Sequence, residues 1–82
     1  MKINVETAWK GKMKFDSLVN GHHVVVDVPE EGGGENSGPG PKALMLTALA
    51  GCTGMDVVSI LEKMRVDLDR FDVNIEADLT DE

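Results

Sequence analysis

An α+β fold, in which a three-stranded antiparallel meander is followed by two consecutive helices and a returning strand, is predicted by three features of this sequence. Apolar and polar residues alternate from Met1 to Val28, helical spacing takes over at Pro41, and alternation returns at Phe71. A period of two marks a strand with one buried face, and a period near 3.6 marks a helix.

The first strand is read from Met1, Ile3, Val5, Thr7 and Trp9, which alternate with Lys2, Asn4, Glu6, Ala8 and Lys10. A second follows from Met13 to Val19. Asn20-Gly21 then separates two alternating runs, and this dipeptide is a strong hairpin signal because both central residues of a type I′ turn need positive φ. Counting outward from it pairs Val19 with His22, Ser17 with Val24, Phe15 with Val26 and Met13 with Val28 on one face, with Lys14 opposite Asp27 on the other. For the first connection the reading is the loop Lys10-Gly11-Lys12 with Gly11 left-handed, which pairs Trp9 with Met13 and Thr7 with Phe15. The meander therefore occupies residues 1–28.

Residues 29–40 read PEEGGGENSGPG and hold five of the nine glycines. They form a loop, which the composition predicts to be a mobile connection. Helices are expected over 41–65. Pro41 suits a first helical turn, and Ala43 to Ala50 are apolar almost all round, as in a helix buried on most sides. Gly51 and Gly54 interrupt the pattern, and Thr53 with Asp56 three residues on has the form of a capping box, so a break is expected there. The second helix presents Val57, Ile60, Leu61 and Met64 on one stripe and ends near Arg65. A last strand, 71–80, carries Phe71, Val73, Ile75, Ala77 and Leu79 on one face. Such a sheet has long unprotected edges, which another copy or further sequence is expected to cover.

A chain of 82 residues makes one domain at most and buries only about 60% of its unfolded surface, so its core is marginal. Eight Lys plus Arg against fifteen Asp plus Glu give a net charge of −7, which repels phosphate backbones and argues against nucleic-acid binding. The start MKINVETAWK lacks the apolar run of a secretion signal. The longest apolar run, Ala43 to Cys52, is too short for a bilayer span. A single cysteine supports no internal disulfide. These features predict a cytoplasmic protein without membrane contact.

Cys52 is the first candidate for chemistry. From the residues alone two readings stay open. A thiol before a helix capped by Thr53 would feel the positive end of the helix dipole and act as a nucleophile. A free cysteine after ALMLTALAG is also, and more commonly, a small buried hydrophobe. The segment GGGENSGPG lacks the Lys-Ser or Lys-Thr of a phosphate loop. His22 and His23 point to opposite faces of a strand and are expected to be exposed turn residues rather than metal ligands. No cofactor or metal is predicted.

The stretch ENSGPGPKALMLTALAGCTGMDVVSILEKM, Glu35 to Met64, resembles the most recognisable segment of the OsmC/Ohr family. The order of meander, helices and strand is similar to the N-terminal half of that family's domain. The resemblance implies an intertwined homodimer with active sites at the interface. It implies hydroperoxide reduction by a cysteine thiol in defence against oxidative stress, with an organic hydroperoxide as substrate and Cys52 as the catalytic residue. In the family a second cysteine resolves the oxidised thiol and an arginine supports it. This chain has no second cysteine, and its arginines are Arg65 and Arg70. Its nearest likeness is an OsmC-like branch with Gly51-Cys52-Thr53 and Asp56. The alternative is a fragment of the same fold that only dimerises or binds a small molecule.

Overall fold

The computed structural model describes residues 1–78 and divides into two units, Met1–Leu44 and Met45–Glu82. In the first, strands β1 (Val5–Trp9), β2 (Phe15–Val19) and β3 (His22–Val26) form one antiparallel sheet in the order β1-β2-β3. The tip at Asn20-Gly21 has φ of 47° and 87°, as a type I′ turn requires. The β2–β3 register pairs Val19 with His22, Ser17 with Val24 and Phe15 with Val26, as the turn predicts.

Two readings of the sheet are corrected. β1 is displaced by two residues, with Trp9 opposite Phe15, Thr7 opposite Ser17 and Val5 opposite Val19, so the connection is Lys10–Lys14 and not Lys10–Lys12. This loop closes by Lys10 N–H to Lys14 O at 2.8 Å and Lys14 N–H to Gly11 O at 3.0 Å, with Gly11 at φ 104° and Lys12 at φ 49°. The longer loop lets the Trp9 indole N–H reach Lys12 O at 2.7 Å and sets the two aromatic rings on directly opposed residues. The face assignment survives because a two-residue slip preserves the side-chain period. β3 ends at Val26, so Lys14 does not meet Asp27 across a ladder. Instead Asp27 N–H donates to Pro39 O at 3.1 Å and Asn36 N–H to Val28 O at 2.9 Å.

Helix α1 runs without a break from Pro41 to Lys63. The two expected helices are therefore one. Each glycine interior to a helix costs roughly 1 kcal/mol relative to alanine, and propagation among Ala, Leu and Met on both sides outweighs Gly51 and Gly54. The helix closes with Arg65 N–H to Glu62 O at 3.0 Å and Val66 N–H to Leu61 O at 2.9 Å, a Schellman cap with Arg65 at φ 59°.

The expected strand over 71–80 does not form among residues 71–78, and Leu79 and Thr80 lie outside the described residues. A strand exists only with a hydrogen-bonded neighbour, whereas this segment lies along α1. Phe71 and Val73 come within 3.9 and 3.8 Å of the point where a Cβ would stand on Gly54, ordinary contact distances that place both side chains against α1 at this residue. The helix is not buried as expected. No hydrophobic side chain among the described residues is fully buried, and Met45, Leu49, Met55 and Ile60 are exposed along α1.

Candidate functional site

Cys52 is a free, exposed thiol on α1. Its position differs from the helix-start expectation in one consequential way. The helix begins at Pro41, three turns earlier, and the dipole field falls off within the first turn. The thiol gains no help from the positive pole of this helix. Its neighbours one turn away are Ala48 and Leu49 on one side and Met55 and Asp56 on the other. The buried-hydrophobe reading does not hold either, because the side chain faces outward beside exposed Leu49 and Met55.

Next to Cys52 along the chain lies an open apolar groove of about 390 Å³, lined by Gly54, Met55, Val58, Ser59, Glu62, Phe71 and Val73. Met55 sits one turn beyond Cys52, so the thiol and the groove occupy the same stretch of helix.

Sequence reasoning missed a second constellation, at Asp27. This carboxylate has no exposed surface. Its Oδ1 accepts Val28 N–H at 2.8 Å, and its Oδ2 accepts Glu35 N–H at 3.2 Å, Ser37 N–H at 3.1 Å and the Ser37 hydroxyl at 2.6 Å. The Ser37 hydroxyl acts most strongly and, with the amides of Val28, Ser37 and Glu35, holds the carboxyl at about 2 against the ordinary 3.8, overcoming the burial that pushes it up. The Gly-rich loop is thus folded around a buried charge and is not a free tether. A Cβ on Gly34 would overlap Val28 O and Asp27 Oδ1, and one on Gly38 would stand 2.5 Å from Val25 O. A single 3₁₀ turn, Glu30–Gly32, lies within the loop. The signal available in the sequence was an Asp ending a Val-Val-Val run ahead of a segment rich in Gly, Asn and Ser, whose backbone N–H groups are free to converge on an anion.

His22 and His23 are exposed, and His23 Nδ1 lies 3.1 Å from Asp16 Oδ2. Arg70 pairs with Asp72 at 2.8 Å. Among the described residues no group of three His, Cys, Asp or Glu side chains could hold a metal.

By length and composition alone α1 meets the criteria for a helix that could cross a membrane. The core helix of a soluble protein meets the same two criteria.

A family profile described as OsmC-like protein matches residues 33–82, more than half of the chain and all of α1. Protein YhfA of Escherichia coli strain K12 is 38% identical over 63 residues, covering 77% of this chain and 41% of that protein. Protein YhfA of Shigella flexneri matches to the same extent. The chain spans about two fifths of the length of these curated relatives.

Proposed function

Because this chain belongs to the OsmC-like protein family, we propose that it carries the thiol of a hydroperoxide reductase, with Cys52 as the catalytic residue and an organic hydroperoxide as substrate. The observation that carries this reading is a free thiol, exposed on α1, inside the segment that matches the family. In the proposed step Cys52 Sγ, as thiolate, attacks the outer peroxide oxygen. The S–O bond forms, the O–O bond breaks, and the alkoxide leaves as the alcohol after taking a proton. Cys52 becomes a sulfenic acid. The cycle is closed by two equivalents of an external thiol: the first displaces water to give a mixed disulfide, and the second releases Cys52 as the thiol and leaves as the reductant's disulfide.

The apolar groove beside Met55 suits the alkyl part of such a substrate. The exposed apolar residues of α1 suit a homodimer, in which a second copy covers them. We also propose a cytoplasmic location, where thiols stay reduced.

The test is a stoichiometric one. Treatment with tert-butyl hydroperoxide in the presence of dimedone is expected to add one dimedone to Cys52, and Cys52→Ser to take up none. Absence of the adduct on the folded protein, under conditions that label a free thiol, would end the catalytic reading. A second reading rests on the groove alone: a binding fragment of the same fold. It predicts ligand binding that is unchanged in Cys52→Ser.

A further inference from the structure

Three asparagines other than Asn4 lie in this chain, at positions 20, 36 and 74, and the first two precede small residues, Gly21 and Ser37. Small successors are the sequences in which an asparagine side chain is most easily attacked by the backbone nitrogen that follows it. The two sites differ in what the fold does with that nitrogen.

At the β2–β3 tip, Asn20 and Gly21 are both exposed and lie beyond the last ladder pair, Val19 with His22. Nothing stands within 4 Å of where a Gly21 Cβ would be, so the turn has room to rearrange. Among the described residues the Asn20 carboxamide is held only by a long bond, Asn4 N–H to Oδ1 at 3.4 Å. At the second site the attacking nitrogen is engaged. Ser37 N–H donates at 3.1 Å to Asp27 Oδ2, on a carboxylate without exposed surface, and Asn36 N–H donates to Val28 O at 2.9 Å. For Ser37 N to lose its proton and turn toward Asn36, its bond to the buried Asp27 carboxylate must break, leaving that acceptor short of a donor.

We propose that Asn20 is a site of spontaneous deamidation and backbone isomerisation in the folded protein, and that the Asp27 knot shields Asn36 from the same chemistry. In the reaction Gly21 N gives up its proton to solvent and attacks Asn20 Cγ. The N–Cγ bond forms, the Cγ–Nδ2 bond breaks, and ammonia leaves. Water then opens the cyclic imide. Addition at Cγ yields aspartate, and addition at the main-chain carbonyl carbon yields isoaspartate, with the backbone rerouted through Cβ. Isoaspartate adds a methylene to a two-residue turn whose two positive φ values set the register. The modification therefore acts on the pairing of Val19 with His22.

The experiment incubates the full chain, folded and in urea, in mildly alkaline buffer. The tryptic peptide Phe15–Lys42, which contains both asparagines, is then mapped by tandem mass spectrometry. In the folded chain the mass gain from exchanging NH for O is expected at Asn20 and not at Asn36. In urea it is expected at both. An Asn20 that stays intact in the folded chain overturns the proposal, and so does an Asn36 that converts as fast as Asn20 there.

Discussion

Replacing Asp27 by Asn tests the most constrained feature of this fold. The carboxylate receives four hydrogen bonds, one at Oδ1 and three at Oδ2. An asparagine side chain offers one accepting oxygen. With that oxygen in the Oδ2 position its NH2 faces Val28 N–H, donor against donor; flipped, it faces the three donors of Glu35 and Ser37. At least one buried donor loses its partner in either orientation. The charge effect has its own signature. The folded carboxyl lies at about 2 and the ordinary value is 3.8, so this is a depressed acid. Its stabilisation is complete above 3.8 and is lost as the pH falls through about 2. Between those values unfolding takes up close to one extra proton at this site. Urea midpoints followed by far-UV circular dichroism from pH 7 to pH 2 measure the effect. The wild-type midpoint is expected to fall toward the acid end more steeply than that of Asp27→Asn, which is lower at neutral pH. The difference between the two curves, which removes the contribution of the other carboxylates, should shrink below 3.8. Parallel curves down to pH 2, or a carbon-13 titration of the Asp27 carboxyl near 3.8, would refute the reasoning.

Two further substitutions probe backbone geometry. Gly34→Ala places a Cβ on Val28 O and Asp27 Oδ1, with Val28 Cγ2 at 2.8 Å. It is expected to destabilise by about 1–3 kcal/mol, the usual cost of overpacking, and the same urea titration reads the loss. Arg65→Gly relieves a side chain held at φ 59° in the helix cap. The left-handed penalty of roughly 1–2 kcal/mol, partly offset by the greater freedom of unfolded glycine, predicts a gain of about 0.5–1 kcal/mol. A lower midpoint would show that the arginine side chain contributes something the cap geometry does not.

How much was legible follows from how local each signal is. Asn20-Gly21 dictated a turn and, through it, the β2–β3 register, because every residue involved lies within a few positions of the tip. Pro41 marked the first turn of α1 for the same reason. The alternation of β1 fixed its faces but not its register, since slips of two residues look alike to a period of two. Trp9 and Lys12 chose between them. Cys52 stood out as the single thiol, yet its exposure and its place in the middle of a helix depend on whether Gly51 and Gly54 interrupt that helix.

The amino-acid sequence by itself determined the α+β class, the meander, the hairpin and the family, all of which rest on near-neighbour patterns and residue identities. Tertiary structure alone decided two things. Packing of Phe71 and Val73 against Gly54 took the place of a strand, and the loop closed on Asp27. Each depends on groups brought together across several to many residues, and the free energy of such contacts is absent from any short window of sequence.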